Sequence, residues 1–368
     1  MTDFGERSYA YAKASGIIAK SFVGKRVRDL ERADRLSELD RLVFSAGAKN
    51  LPEKELLRDL EKRIINREVN SIISIVKCFS HPPEFFKLLI RSYEYADLLG
   101  AINAAKDKES KAPAHVDLGL FQTVNFEAWP DIPKMIEGTA FNFLLEKLGK
   151  ANADKSSFSE KQNFAFQSLL DQHYYTALWK ALFLLPEIDR QAAEKILSDE
   201  ISLKNASWAL RLRVFYQLPA KAIKQYLVDI PEEKHGPSAR YLRVWRHEPA
   251  WERKPRDLSS SLVHEAVVSL DYQLDDYSDW SSWRWKDFLN PQVEGRHWQA
   301  DARFFQNAAS RYLYNLARHN FRTNPSSLDT IFCFIKLKQF EEDILTSSVE
   351  GLGIGMSVRD TLSMLGVE

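Results

Sequence analysis

Cysteine is scarce in this 368-residue chain, which holds only Cys78 and Cys333. Two thiols exclude a disulfide framework and a cysteine-rich zinc site. Both lie in apolar runs, IVKCFS and TIFCFIK, which predicts buried core thiols in a reducing compartment. A surplus of either charge is missing too: Lys plus Arg and Asp plus Glu each total 51. A chain built to grip nucleic acid carries a basic excess, so that partner is disfavoured. No apolar run reaches the roughly 18 residues of a membrane span. The opening MTDFGERSYAYAK has no apolar core of a secretory signal. The expectation is a cytoplasmic chain, soluble by itself. Strand signals are equally rare.

What is present is helical periodicity. Hydrophobic residues make up 45% and charged residues 28%, ordinary for a globular protein. Helical spacing predicts helices over Leu36–Phe44, Leu56–Cys78, Phe85–Ala105, Ile136–Leu148, Phe164–Leu185, Ala192–Phe215, Trp298–His319 and Ser327–Val349. The breaks fall at turn chemistry such as HPPE, LPE, IPEEKHGPS and RTNPSS. The fold class is all-α.

One stretch poses a question of chemistry. LDQHYYTALWKAL, from Leu170, strings Asp171, His173, Tyr174 and Tyr175 together, the groups of an acid–base site. Leu170, Tyr174, Leu178 and Leu182, with Ala181 and Leu185 beside them, form one helix face. Residues two apart do not meet on a helix, so Asp171 and His173 form no local pair; Asp171 sits over Tyr175. The stretch also has relatives in the chain: LEKRIIN from Leu60 and ADARFFQ from Ala300. The acid recurs as Glu61, Asp171 and Asp301, and the bulky pair as Ile64–Ile65, Tyr174–Tyr175 and Phe304–Phe305. Each element is read as opening a long helix, followed by a break and a second long helix with an acid near its middle. Each is preceded by a related segment: RLVFSAGAKNL, MIEGTAFNFLL and VVSLDYQLDDY. Three degenerate units of about 110 residues fill the chain, with boundaries drawn at 1–115, 116–230 and 231–368, the last Trp-rich. His173 becomes Arg63 and Arg303 in the other units. Chemistry is lost twice while bulk and phase are kept, so the element is packing, with two buried bulky side chains per unit.

Sharper motifs have plainer readings. Asp275, Asp276 and Asp279 in DDYSD match the magnesium motif of all-α prenyl-diphosphate enzymes, where carboxylates a turn apart hold a hard cation. That alternative needs a second acidic site on a facing helix, and a solvated acidic turn is the plainer reading. Gly351, Gly353 and Gly355 in GLGIG lack the strand and the Lys-Ser/Thr of a phosphate loop and read as a helix C-cap. ARYLRVWRHEPAWERKPR interleaves arginines with Tyr241, Trp245 and Trp251; it faces a protein or the acidic run at 271–279 rather than single-stranded nucleic acid. His235, His247 and His264 show no metal spacing. VGKRVRDLERADR reads as a charge-laced surface helix. No catalytic residue, cofactor or metal ligand is assigned.

The ordered set of segments resembles the C-subunit family of V-type (archaeal and bacterial A/V-type) ATPases and ATP synthases, whose eukaryotic members are the d subunits. The start YAYAKASGIIAKSFVGKRVRDLERADRLSELDRLV is similar to the family's first helices. The second unit matches through Asp171, Tyr174, Tyr175, Glu200, Ile201, Asn205 and Arg211. ARFFQNAASRYLYNLARHNFRTNPSSLDTIFCFIKLKQFEEDI and GLGIGMSVRDTLSMLGV resemble the last unit and the terminus. Two departures are Glu342-Asp343-Ile344-Leu345, where the family more often has Glu, Asn and a basic residue, and the Trp-rich run through Trp280, Trp283, Trp285 and Trp298. The resemblance implies a non-catalytic part of the central stalk: a three-fold pseudo-symmetric funnel on the cytoplasmic mouth of the proteolipid ring. That funnel would receive the shaft and couple ATP turnover or synthesis to ion transport, with membrane association only through the complex. A generic helical-repeat adaptor is the third reading.

Overall fold

The computed structural model describes residues 3–44, 51–107, 109, 111–145, 160–230 and 261–367. Among the described residues there is no strand. The helices are α1 (Asp3–Ile18), α2 (Leu36–Val43), α3 (Glu53–Val76), α4 (Glu84–Lys106), α5 (Ile132–Ile136), α6 (Glu160–Leu182), α7 (Gln191–Val214), α8 (Ala220–Lys224), α9 (Ser261–Ser269), α10 (Ala302–Asn320), α11 (Leu328–Gly353) and α12 (Val358–Leu365).

Three long hairpins make the frame: α3–α4, α6–α7 and α10–α11. Each turns at a proline-bearing break, HPP, LPEID or RTNPSS, where the missing N–H and the bias on the preceding residue stop the helix. Side-chain caps restart it: Ser327 accepts from Asp329 N–H to begin α11, and Ser357 accepts from Asp360 N–H to begin α12. α11 lies along α3, α4 along α6, and both α9 and α10 along α7.

The main core joins α1, α4, α6, the later turns of α3 and the first halves of α7 and α11. A second core holds α2, the start of α3, the end of α11 and α12. α11 is therefore shared between them. The expected face of α6, with Leu170, Tyr174, Leu178, Ala181, Leu182 and Leu185, is buried throughout. A third, aromatic core gathers Trp280, Trp283, Trp285, Trp298 and Phe305 against Leu203, Ala206 and Leu210 of α7. Each of these indole N–H groups donates to an acceptor: Gln273 O, Glu265 O, Ser202 Oγ and Asn290 O respectively. A large ring can be buried here because its polar edge is satisfied.

Several expectations are corrected. No single helix covers Ile136–Leu148: α5 ends at Ile136, and Gly138, with φ +73°, turns the chain before a 3₁₀ turn at Asn142–Leu144. The helix expected from Trp298 starts at Ala302, because Asp301 accepts from the N–H groups of Arg303 and Phe304 and so caps it. Glu61 and Asp171 therefore sit well inside α3 and α6, whereas Asp301 stands before α10; the three acids do not open their helices alike. The bulky pairs differ as well: Ile65 is half-buried and Phe304 is 40% exposed. Cys333 is buried, but Cys78 is only half-buried, its Sγ donating to Ser74 O at 3.3 Å. The charged segment Gly24–Arg32 is a 3₁₀ helix with Val27 and Leu30 turned inward. GLGIG ends α11 as expected. Gly355 takes φ +81°, with Gly355 N–H donating to Leu352 O and Met356 N–H to Gly351 O. Gly351 and Gly353 have a packing role: a Cβ at either would strike Thr361 or Leu57.

Candidate functional site

The three hairpin turns meet at one end of the bundle. Phe79, Ser80, His81 and Pro83 of the first, Ala181, Leu184, Leu185 and Pro186 of the second, and Leu328 of the third share a cavity of about 620 Å³ with Glu6 and Arg7 of α1. Two aspartates lock the turns to one another. Asp189, just before α7, accepts from Leu328 N–H at the start of α11 at 3.2 Å. Asp329, in the first turn of α11, accepts from Ala192 and Ala193 N–H at the start of α7 at 3.0 and 3.1 Å. Each helix thus carries the cap of the other, satisfying N–H groups that a helix start leaves open. Burial raises the Asp329 carboxyl above its ordinary range, opposed by those two N–H donors. Arg7 closes the lock with two contacts to Asp189 at 2.8 and 2.9 Å, and Glu6 accepts from Ser80 Oγ at 2.5 Å.

Deeper in the bundle lies a buried charge network. On α3, Arg67 donates to Glu68 at 2.7 Å and to Glu341 of α11 at 3.0 Å. Lys338 of α11 bonds Glu341 at 2.5 Å and Ser21 Oγ at 3.0 Å, and pairs with Glu68. Phe22 N–H donates to Glu341 at 2.8 Å. Burial works hardest on Glu341, yet Lys338, Arg67 and the Phe22 N–H outweigh it and hold its carboxyl below the usual range. Burial and the Glu341 charge push Glu68 up. Glu342 accepts from Tyr93 OH of α4 at 2.6 Å. Burial pushes its carboxyl up to about 8, against the Tyr93 hydrogen bond and with help from Asp343 and Glu68. Two cations thus face two carboxylates, and the extra acid, half-buried beside Tyr93, has its carboxyl raised well above the usual range. A parallel set links the second hairpin to α11: Lys336 pairs with Glu200 at 2.7 Å, and Tyr175 OH donates to Glu200 at 3.1 Å. These groups are paired with one another rather than converging on a reactive centre.

The groups singled out in the sequence fall into this scheme or outside it. Asp171 does not bond Tyr175; it pairs with Lys204 at 3.1 Å. Tyr175 reaches Glu200 instead. His173 Nδ1 meets Tyr95 OH at 2.7 Å, its ring stacked on Phe143. Tyr174 packs edge-on against both Tyr95 and Tyr175, with ring centroids 5.1 Å apart in each case, so His173, Tyr174 and Tyr175 form an aromatic packing layer and Asp171 pairs away from His173. The acid near the middle of each second helix is structural: Glu94 accepts from Thr123 N–H, Thr123 Oγ1 and Val124 N–H, Glu200 binds Lys336, and Glu341 sits in the network. The chain's departure at 342–345 still makes a polar contact, through Glu342 and Tyr93.

The magnesium geometry is absent at DDYSD. Asp276 accepts from Ser278 N–H at 2.9 Å, Asp279 accepts from Gln273 N–H at 2.9 Å, and exposed Asp275 lies 3.9 Å from His297. They shape a turn entering a short 3₁₀ segment, so they do not line one α-helical face. Among the described residues no group of three His, Cys, Asp or Glu side chains is placed to hold a metal, and no helix is long and apolar enough to cross a membrane. His264 is exposed. The basic–aromatic run at 239–256, with Trp245 and Trp251, and His235 and His247 lie outside the described residues.

Sequence reading missed the network itself, though a signal existed. Glu68 occupies the apolar stripe Leu60–Ile64–Glu68–Ile72 of α3, and Lys338 and Glu341 interrupt the stripe Ile331–Phe334–Ile335–Ile344–Leu345 of α11. A charge at an inward-facing position demands a partner from another helix.

A helical body of this kind, with its charges matched internally and its hairpins locked at one end, is built to hold shape. A family model described as ATP synthase (C/AC39) subunit matches residues 37–234, more than half of the sequence. The chain belongs to the ATP synthase (C/AC39) subunit family, and so to the subunits of V/A-type ATPases. It is also 29% identical over 339 residues to a protein of Treponema pallidum (strain Nichols) described as an uncharacterized protein, an alignment spanning 90% of this chain and 88% of the relative.

Proposed function

We propose that this protein is a non-catalytic component of the central stalk of a rotary V-type ATPase, the socket that couples the rotating shaft to the proteolipid ring. Family membership supports the assembly. The observation that carries the mechanical role is the reciprocal capping of α7 and α11 by Asp329 and Asp189. A coupling must transmit torque without shearing, and a twist between the second and third hairpins would break several buried bonds to charged groups at once, each worth about 1.5–3 kcal/mol. The buried network does the same between the first and third hairpins. Exposed Leu184 and Ile188, 72% and 71% accessible, leave apolar surface beside the turn-end cavity for a partner helix.

In this reading the chain rides on the cytoplasmic face of the membrane, held there by its neighbours, and its three hairpins descend from one unit repeated over 1–115, 116–230 and 231–368. The three proline-broken hairpins support that descent. The test is affinity isolation of the tagged full chain from detergent-solubilised native membranes. Shaft subunits and proteolipid should co-elute in constant proportion. Their absence from a preparation that retains the intact rotary complex would overturn the assignment.

A further inference from the structure

We propose that the concavity between the end of α7 and the first turn of α10 binds a carboxylate-bearing segment of a partner protein, gripped by Arg211 and Arg303. It has a volume of about 290 Å³ and is lined by Arg211, Phe215, Tyr216, Ala302, Arg303 and Gln306. It lies at the opposite end of α7 from the locked turns, and its chemistry does not depend on a role in a rotary motor.

Two arginines stand together in this hollow beside an aromatic wall. The arginines that hold the fold are committed: Arg7 to Asp189, Arg63 to Asp40, Arg67 to Glu341, Arg284 to Asp199, and Arg213 to the carbonyls of Ser269 and Tyr272. Arg211 and Arg303 are exposed, and neither guanidinium has a carboxylate or carbonyl partner among the described residues. Their contacts are aromatic, Arg303 standing 5.7 Å from the Phe215 ring and Arg211 5.9 Å from the Trp208 ring. The neighbouring acid, Asp301, uses Oδ1 on the N–H groups of Arg303 and Phe304. The hollow keeps a net positive charge and two planar donor forks, the geometry that receives a carboxylate in two-point fashion.

The backbone holds an apolar wall beside those forks. Phe215 is 49% exposed at the end of α7. Two residues on, Gln217 has φ +49°, the single positive φ of a non-glycine residue among those described, fixed by Gln217 N–H to Arg213 O and Leu218 N–H to Leu212 O. A left-handed residue other than glycine is costly and persists where surrounding structure enforces it. Here it ends α7 so that Phe215 and Tyr216 rim the hollow, with Tyr216 braced edge-on against Phe164 at 4.7 Å. The volume is just under the roughly 300–1,000 Å³ of small-molecule pockets, so it suits one or two side chains. An acidic residue next to an apolar one meets both the forks and the aromatic wall, whereas a bare oxyanion would leave the wall unused.

The test uses the full chain and three probes: a fluorescent hexapeptide alternating glutamate and leucine, its glutamine counterpart, and inorganic phosphate. The acidic peptide should bind in low salt and the glutamine peptide at least tenfold more weakly. Arg211→Ala and Arg303→Ala should each weaken the acidic peptide at least fivefold, and Arg303→Lys should restore it only in part. Thermal melts of the same variants should match the wild type, because neither arginine supports the fold. The proposal is overturned if the acidic peptide fails to bind, if both variants bind it as the wild type does, or if phosphate competes at equal or lower concentration. Variant-sensitive capture by phosphatidylserine vesicles without peptide binding would overturn it too, assigning the hollow to a membrane.

Discussion

The two ends of the bundle treat charge in opposite ways. At the turn end, Glu6, Arg7, Asp189 and Asp329 all bond to groups of another segment, and so do the network residues below them. At the other end Arg211 and Arg303 stand open beside an exposed phenylalanine. Charge matched inside the chain fixes the body, and charge left over is available to another molecule. The contrast predicts that mutations of equal chemistry have unequal effects at the two ends.

The strongest challenge to that contrast is Lys338→Met. It leaves Glu68 and Glu341 buried with Arg67 alone, and urea denaturation should show a loss of about 3–5 kcal/mol. A loss under about 1 kcal/mol would mean that the network is ornamental. Next comes Asp329→Ala, which strands two N–H donors at the start of α7. A loss of about 2–3 kcal/mol is expected, and a double-mutant cycle with Asp189→Ala should show coupling, since the two caps join the same pair of helices.

Glu342→Gln sharpens the comparison through pH. The folded carboxyl titrates near 8 and the unfolded one near 4.5. Between those values the unfolded chain binds fewer protons, so this group lowers stability as pH rises from about 4.5 to about 8, after which its effect is constant. Glutamine keeps a carbonyl for Tyr93 OH and removes the titration. The variant should therefore match the wild type near pH 5 and exceed it near pH 8 by on the order of 2 kcal/mol. An unchanged gap across that range would show that Glu342 is ionised in the folded protein. Arg211→Ala and Arg303→Ala should be smallest, within about 0.5 kcal/mol of wild type, checked by the same denaturation. A larger loss would mean that the open end is structural.

Periodicity and proline breaks made the long helices legible, because burial of one face sets a 3.6-residue rhythm. The α6 face from Leu170 to Leu185 is buried as read. Short elements were less legible: Gly138 breaks an otherwise apolar run after α5, and a single glycine carries little periodic signal. The DDYSD carboxylates looked like a cation site because spacing does not reveal that the segment is a 3₁₀ turn. The buried network was hidden for another reason. Glu68, Lys338 and Glu341 come from positions up to 273 residues apart, and a lone charge in an apolar stripe becomes intelligible only when the partner helix is known.

α11 belongs to two cores at once: its first half lies in the main core, where it packs on α1 and α7, and its second half lies in the second core with α2 and α12. No partial opening can bare this helix while sparing the rest. Its central amides should therefore be the slowest in the chain to trade hydrogen for deuterium, released only when the entire molecule unfolds. Those of α9, a nine-residue helix on the flank, should escape by local fluctuation far sooner.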